Sequence, residues 1–242
     1  MYQNRKVRSA WFTPRRASKS NACLLKRHDM LSISHETIYQ HVWRDKRRGG
    51  RLYEHLRCAG KKRRKRYGRY DSRGRLAGKR HISERPASVE DRSEIGHWEI
   101  DTVMGTGSRD CIVTLVERKT GYTLIGKLSD SSKTELTARA AWLIRKHPSC
   151  FQTITADNGT EFHDYKRIEE QTGVCFYFAN PHHSWERGTN ENTNGLIRQY
   201  LPKGMNMDVV TQQDCSLIAD ALNHRPRKRL QYRNPKGCFD EE

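Results

Sequence analysis

Three acidic residues of this sequence have the types and spacing needed to share a cation. Asp157 ends the apolar run 151–156 just before an Asn-Gly pair, which places its carboxylate at the last residue of a strand. Asp101 lies in the run 97–104, whose alternation puts it on the strand face opposite the large apolar side chains. Aspartate is disfavoured inside strands and costly to bury alone, so Asp101 requires a cationic partner.

The third carboxylate, Glu191, lies on a predicted helix. From Asn190 onward, apolar side chains recur at helical spacing, while Glu191 and Arg198 lie two turns apart on the opposite face. Two strand carboxylates and one helix carboxylate could therefore converge. Oxygen ligands of this kind can hold a pair of divalent cations for phosphoryl chemistry. The apolar stripe consists of Thr193, Leu196, Ile197 and Tyr200.

Other acidic residues compete for these roles. Glu99 faces the same side of its strand as Asp101, and Glu161 and Glu186 are alternatives for the two later positions. Asp157 could also be an ordinary turn residue, because Asp and Asn favour tight turns.

The elements that must position these residues follow one another in a recognisable order. Three strands joined by short connections predict a meander, and the later strands alternate with helices. The order βββαβαβα is that of a ribonuclease-H-like core, an α/β fold with a mixed five-stranded sheet flanked by helices. The predicted strands are 98–104, 111–117, 122–128, 151–156 and 174–178, and the helices are 133–146, 163–171, one from 190 onward and 209–223.

Charge distinguishes the beginning of the chain from this core. Residues 1–90 hold 26 Lys or Arg and 7 Asp or Glu, a balance of +19, whereas the remainder hold 20 and 21, a balance of −1. So basic a segment favours nucleic acid as its partner. The densest basic run is expected to follow a DNA backbone, although it could instead be a solvated linker. That run is Lys61, Lys62, Arg63, Arg64, Lys65 and Arg66.

A short helix is predicted before the basic run. Ser34 is a suitable N-cap, and Ile38 and Val42 would form the packing face. The helix could probe a DNA major groove or simply belong to a small bundle.

Composition excludes several classes of protein. No window approaches the roughly 18 to 20 apolar residues of a membrane-spanning helix, and no signal peptide is visible. The seven cysteines are scattered and odd in number, which argues against a closed disulfide framework. We therefore expect a cytoplasmic protein that does not bind membranes.

These motifs resemble those of the DDE transposases of bacterial insertion elements, most closely the insertion-sequence thirty family. The resemblance extends from about residue 92 to residue 239. It is carried by His-Trp-Glu-Ile-Asp at 97–101, Asp-Asn-Gly-Thr-Glu-Phe at 157–162, Ser-Trp at 184–185 with Arg-Gly-Thr-Asn-Glu-Asn-Thr-Asn-Gly-Leu at 187–196, Leu-Pro-Lys-Gly at 201–204 and Leu-Asn-His-Arg-Pro-Arg-Lys at 222–228.

The resemblance implies a site and a reaction. Asp101, Asp157 and Glu191 would be the catalytic and metal-binding residues, holding two Mg²⁺ or Mn²⁺ ions. Independently of the resemblance, the position of Arg198 two turns beyond Glu191 predicts a phosphate contact, although it could be a solvated helix charge, and Lys203 is a weaker candidate of the same kind. The enzyme would free a 3′-hydroxyl at an element's terminal inverted repeat and join it to target DNA. A homo-oligomer on double-stranded DNA, associated with the bacterial nucleoid, is expected.

The resemblance also implies a domain organisation. We assign a partial helix-turn-helix-like region to residues 1–60, a basic linker to 61–90 and the catalytic domain to 91–242. Members of the family usually carry helix-turn-helix modules upstream, and this chain is expected to begin partway through that region, as an N-terminally truncated member. Two alternatives remain: a nuclease that cleaves without joining, and a shortened, inactive transposase that binds DNA as a regulator.

Overall fold

A computed structural model describes residues 34–56, 78–181 and 183–241 of the chain. It contains a five-stranded sheet with helices packed on both faces. None of the helices in these three segments has the length and apolar character needed to cross a membrane. The basic run 61–66 lies outside the described residues, so its predicted contacts with DNA stay a prediction.

The strands and helices follow the predicted order. The strands are β1 (His97–Met104), β2 (Cys111–Glu117), β3 (Thr123–Leu128), β4 (Thr153–Ala156) and β5 (Cys175–Phe178). The helices are α1 (His35–Arg47), α2 (Ala87–Asp91), α3 (Lys133–Ile144), α4 (Tyr165–Thr172), α5 (Gly188–Ile197), α6 (Gln212–Asn223) and α7 (Pro235–Asp240).

The strand order across the sheet is β3-β2-β1-β4-β5. Strands β1, β2 and β3 pair antiparallel as a meander, and β4 returns to pair parallel with β1 before β5 pairs parallel with β4. This arrangement confirms the predicted ribonuclease-H-like mixed sheet. It also places β1, which carries Glu99 and Asp101, in the centre.

Both faces of the sheet are covered, which explains the alternation along β1. Trp98 and Ile100 enter the core shared with α3 and α4, where Trp98 stacks on Phe151 at a ring distance of 4.1 Å. Val103 and Ile112 enter a second core beneath α5 and α6. Glu99 and Asp101 face this second side and therefore lie under α5.

Several element boundaries differ from those predicted. A 3-10 turn at Pro148–Cys150 precedes β4, which starts at Thr153 rather than at residue 151. The strand ends at Ala156, so Asp157 lies one residue beyond it. Helix α6 begins at Gln212 because Thr211 and Asp214 form a capping box. Helix α1 is confirmed and runs to Arg47, with the Ser34 hydroxyl accepting a hydrogen bond from Thr37 N.

Residues from the predicted linker pack against the core. Arg80 O accepts a hydrogen bond from Phe178 N, and His81 forms a parallel bridge to Phe178 beside β5. Val89 of α2 is fully buried. The described part of the interval 61–90 is therefore continuous with the sheet domain.

Helix α5 is attached to the sheet through a buried ion pair. Glu99 is fully buried, and its Oε1 accepts a hydrogen bond from Arg118 Nη1 at 2.5 Å. Its other oxygen accepts the backbone N–H of Asn190 at 2.7 Å. That N–H lies in the first turn of α5, where helices leave donors unsatisfied. Glu99 thus neutralises Arg118 and caps the helix at once.

We predict that Glu99→Ala destabilises the protein by about 3–5 kcal/mol, because it leaves the buried Arg118 cation without its partner. Glu99→Gln should lose less, since an amide oxygen can still accept from Asn190 N. Urea denaturation measures the change in the free energy of unfolding, with Glu170→Ala on the exposed side of α4 as the control. A loss for Glu99→Ala no larger than that of the control would contradict this role.

Candidate active site

Asp101 lies in the middle of β1, opposite Thr114 of β2, and its carboxylate points toward α5. Asn194 Nδ2 donates to Oδ2 at 2.9 Å, and Thr102 N donates to Oδ1 at 2.9 Å. The Thr114 hydroxyl donates to the Asp101 carbonyl and also lies within hydrogen-bonding distance of Asn190 and Asn194. A polar layer between β1, β2 and α5 therefore fixes the orientation of Asp101.

Asp157 lies just past the end of β4, next to the strand that carries Asp101. Its Oδ1 accepts a hydrogen bond from Gly159 N at 2.8 Å, so the residue does shape the turn, as one interpretation of the sequence predicted. Its Oδ2 is turned toward Arg187. Because β1 and β4 are parallel neighbours, Asp101 and Asp157 meet at the same edge of the sheet.

One guanidinium bridges the two aspartates. Arg187 Nη2 donates to Asp157 Oδ2 at 3.1 Å, and Nη1 lies 3.6 Å from Asp101 Oδ1. Nη1 also donates to Ile100 O at 3.3 Å. Arg187 ends a 3-10 turn, Ser184–Arg187, that leads directly into α5. Its role was not predicted from the sequence, because a cation three residues before a predicted helix gives no sign of which acids it will contact.

Glu161 also belongs to this cluster. Its Oε1 accepts a hydrogen bond from the Thr102 hydroxyl at 3.1 Å, and its carboxylate folds over Gly159. A Cβ atom at position 159 would lie 2.5 Å from Glu161 Oε2, so a side chain there would displace the Glu161 carboxylate from this position. Glu161 therefore remains an alternative metal ligand in this cluster.

The pKa of Asp101 is raised from its ordinary 3.8 to about 6. Burial is the main cause; repulsion by Asp157 and Glu161 adds to it, whereas Arg187 and the Thr102 N–H oppose it. A single guanidinium therefore does not compensate this group of carboxylates. The donor set suits a hard divalent cation, which would supply the missing positive charge.

Glu191 lies in the first turn of α5 and is exposed to solvent. It precedes Asn194 by three residues, so it projects from the helix face that contacts Asp101. In the parts of the chain described, no three His, Cys, Asp or Glu side chains are grouped as around a metal ion. The structure thus brings Asp101 and Asp157 together, and a metal shared with Glu191 stays a prediction.

The other acidic rivals have structural partners. Glu99 is committed to Arg118 and Asn190, as described above. Glu186 accepts hydrogen bonds from the backbone and side-chain amides of Asn180, which close the loop before α5. Both carboxylates therefore stabilise the positions of their neighbours.

The predicted phosphate contacts lie near the end of α5. Arg198 Nη2 donates to Met104 O at 2.8 Å, and burial lowers the pKa of this guanidinium. Its Nη1 is buried without a hydrogen-bond partner among the described residues. Lys203 is exposed in the following turn. Arg198 is thus partly anchored on β1, with donor capacity left for a ligand.

We predict that Asp101→Asn changes how stability depends on pH. The folded pKa of Asp101 lies above the unfolded one, so the folded state binds more protons between pH 3.8 and about 6. Wild type therefore loses on the order of 2–3 kcal/mol as pH rises through this window, whereas the variant lacks that loss. Urea denaturation in EDTA from pH 4 to 7.5 measures it.

The exposed Asp208 offers a control for the same chemical change, Asp208→Asn. The stability of Asp101→Asn relative to wild type should rise with pH, and a difference that stays flat or falls would refute the assigned environment.

Comparison with known proteins identifies relatives of this chain. It is 45% identical over 209 residues to the transposase for insertion sequence element IS4351 of Bacteroides fragilis, covering 86% of this chain and 64% of that protein. It is 40% identical over 208 residues to the transposase for IS1086 of Cupriavidus metallidurans, covering 85% of this chain and 61% of that protein.

A third relative is the transposase InsI for IS30A of Escherichia coli K12, 38% identical over 220 residues, covering 88% of this chain and 57% of the relative. The chain thus spans about three fifths of the length of these proteins. No protein-family model matches. Among solved structures, the catalytic core domain of BIV integrase gives a TM-score of 0.48 at 17% identity, over 61% of this chain and 95% of that one. By sequence, the chain is similar to transposases of insertion sequences, among them that of IS30A, in agreement with the resemblance of its motifs.

Proposed function

We propose that this chain carries the catalytic core of a DDE transposase, which cleaves DNA at the ends of an insertion element and joins the freed 3′-hydroxyl to target DNA. The principal support is the juxtaposition of Asp101 and Asp157 at one sheet edge, in a chain related to transposases over most of its length. Both aspartates occupy the positions that the transposase motifs assign to the reaction.

Asp101, Asp157 and Glu191 are the proposed ligands of two Mg²⁺ or Mn²⁺ ions. The raised pKa of Asp101 and the incomplete neutralisation by Arg187 support this, because such a cluster lacks positive charge. When bound, the ions lower the pKa of a water or 3′-hydroxyl and stabilise the departing oxygen. Asn194 and Thr102 N hold the Asp101 carboxylate in place, and Arg187 holds that of Asp157.

DNA is the proposed substrate and partner. Arg198 is the proposed phosphate contact on α5, because Nη2 is anchored on Met104 O while Nη1 has no hydrogen-bond partner among the described residues. Lys203 and the basic run 61–66 would add further contacts, and such contacts make binding salt-dependent. An assembly of several copies on the element's terminal inverted repeats, in the bacterial nucleoid, completes the proposal.

The test uses end-labelled duplexes that carry the inverted repeats flanking the reading frame, unlabelled target DNA and Mn²⁺. Wild type should produce both nicked and joined strands. Glu191→Gln should reduce both by at least about a hundredfold, because even the outer partners of a metal ligand are worth roughly 10- to 100-fold. Glu170→Gln removes the same charge from the exposed side of α4 and should behave as wild type.

The products separate the candidate functions. Nicked strands without joined strands would indicate a nuclease and not a transposase. A gel shift without either product would favour the DNA-binding regulator. Full activity in Glu191→Gln would exclude Glu191 from the site and leave Glu161, which accepts a hydrogen bond from the neighbouring Thr102, as the next residue to substitute.

A further inference from the structure

A cavity of about 140 Å³ opens beside the first turn of α5. Asn192 and Thr189 line it from α5, on a different helix face from Glu191 and Asn194. Its lining includes three arginines, Arg92, Arg227 and Arg229, and no acidic side chain. The cavity is therefore separate from the carboxylate cluster although the two share a helix.

Two of the arginines are held against the same carbonyl group. Arg92 Nη1 donates to Arg118 O at 3.4 Å and Arg229 Nη1 donates to it at 3.2 Å. The remaining bonds are also to neutral oxygens: Arg92 donates to the Thr189 hydroxyl, and Arg229 donates to Lys119 O at 2.6 Å. The loss of surrounding water, and next the proximity of Arg92, lower the pKa of Arg229. Glu117 and Glu99 act in the opposite direction from a distance. The hydrogen bonds therefore orient two like charges toward one space without an acidic hydrogen-bond partner for either.

Unfavourable backbone conformations occur at and near these arginines. Among the described residues, the non-glycine positions with positive φ are Arg92, Gln231 and Tyr232. Such conformations are unfavourable for residues with a side chain and are retained where the surrounding structure requires them. Tyr232 N donates to Arg227 O, and Arg227 N donates to Arg233 O, which closes the tail into a compact turn. This turn carries Arg227 and Arg229 back to Arg92.

The chemistry of the lining selects an anion with several oxygens. Guanidinium groups bind phosphate through paired N–H donors, and the N-terminal end of a ten-residue helix adds a favourable dipole. We propose that this pocket binds a phosphate group, supplied by the DNA backbone. The choice of DNA as the source rests on the proposed function, whereas the anion chemistry follows from the lining itself.

The position of the pocket indicates what a phosphate bound there would do. It lies at the N-terminal end of α5, and Glu191 lies in the same turn of that helix. A backbone phosphate held there would fix the path of a DNA strand relative to α5. An adjoining cavity of about 350 Å³ shares Arg229 and is also lined by Lys119, Arg233 and Glu241. Arg233 pairs with Glu241, so Arg229 and Lys119 supply the remaining positive charge of this cavity.

The first measurement is binding to a fluorescent duplex of unrelated sequence, by anisotropy over a series of salt concentrations. Arg229→Ala should weaken binding at every salt concentration and reduce the slope of log K against log salt by about 1, the signature of one lost phosphate contact. Arg167→Ala removes the same charge from the exposed side of α4 and should leave the slope unchanged. Equal slopes for the two variants would overturn the DNA contact.

Asn192→Asp keeps every arginine and adds a carboxylate to the lining. It should weaken DNA binding as Arg229→Ala does, which separates loss of the site from a folding defect of the arginine variant. Unchanged binding by Asn192→Asp, with both variants showing wild-type circular dichroism, would also overturn the proposal.

The second measurement distinguishes free phosphate from DNA. Inorganic phosphate, compared with chloride at equal ionic strength, should raise the Tm of wild type more than that of the double variant Arg92→Ala/Arg229→Ala. A phosphate effect that the double variant loses, with unchanged DNA slopes, would overturn the DNA backbone as the source in favour of a small phosphate. Neither measurement involves cleavage or an element end, so failure here leaves the proposed transposase activity standing.

Discussion

The attachment of α5 to the central strand is the constraint on which the rest of the site depends. This helix is rich in Asn and Thr, so its inner face cannot be held by apolar packing alone. Glu99 resolves the problem by pairing with Arg118 and accepting the Asn190 N–H. A buried pair of this kind adds little net stability over an apolar one, but its hydrogen bonds fix a single placement of the helix. The placement of α5 in turn determines where Glu191 and Arg198 lie.

Two acids on one strand face illustrate how environment separates structural from chemical roles. Glu99 and Asp101 are neighbours on the same side of β1, yet Glu99 has a full set of charged and amide partners. Asp101 is held by two N–H donors and lies at 3.6 Å from its nearest cation, and its pKa rises to about 6. The negative charge of Glu99 is neutralised within the protein. That of Asp101 is only partly neutralised, so a bound cation would stabilise it.

The sequence predicted the sheet well because its signals are local. Strand β2 was predicted with its observed boundaries, since a continuous apolar run buried on both faces ends at a turn. Boundaries that depend on caps or 3-10 turns, such as the starts of β4 and α6, were misplaced. The bridge made by Arg187 could not be predicted, because it depends on how a loop is folded over two strand ends distant in sequence. The same holds for the meeting of Arg92 with Arg229.

Helix α5 lies between an acidic and a basic surface, and the two surfaces would act differently on an approaching polyanion. Carboxylates gathered around Asp101 repel phosphate unless cations neutralise them, whereas the arginines beside Thr189 attract it. The two surfaces lie on different faces of one short helix, so a strand held on the basic side remains within reach of the acidic side. Under the proposed function, affinity for DNA and the chemistry at the carboxylates could then be altered independently, since the groups responsible lie on the same helix but share no side chain.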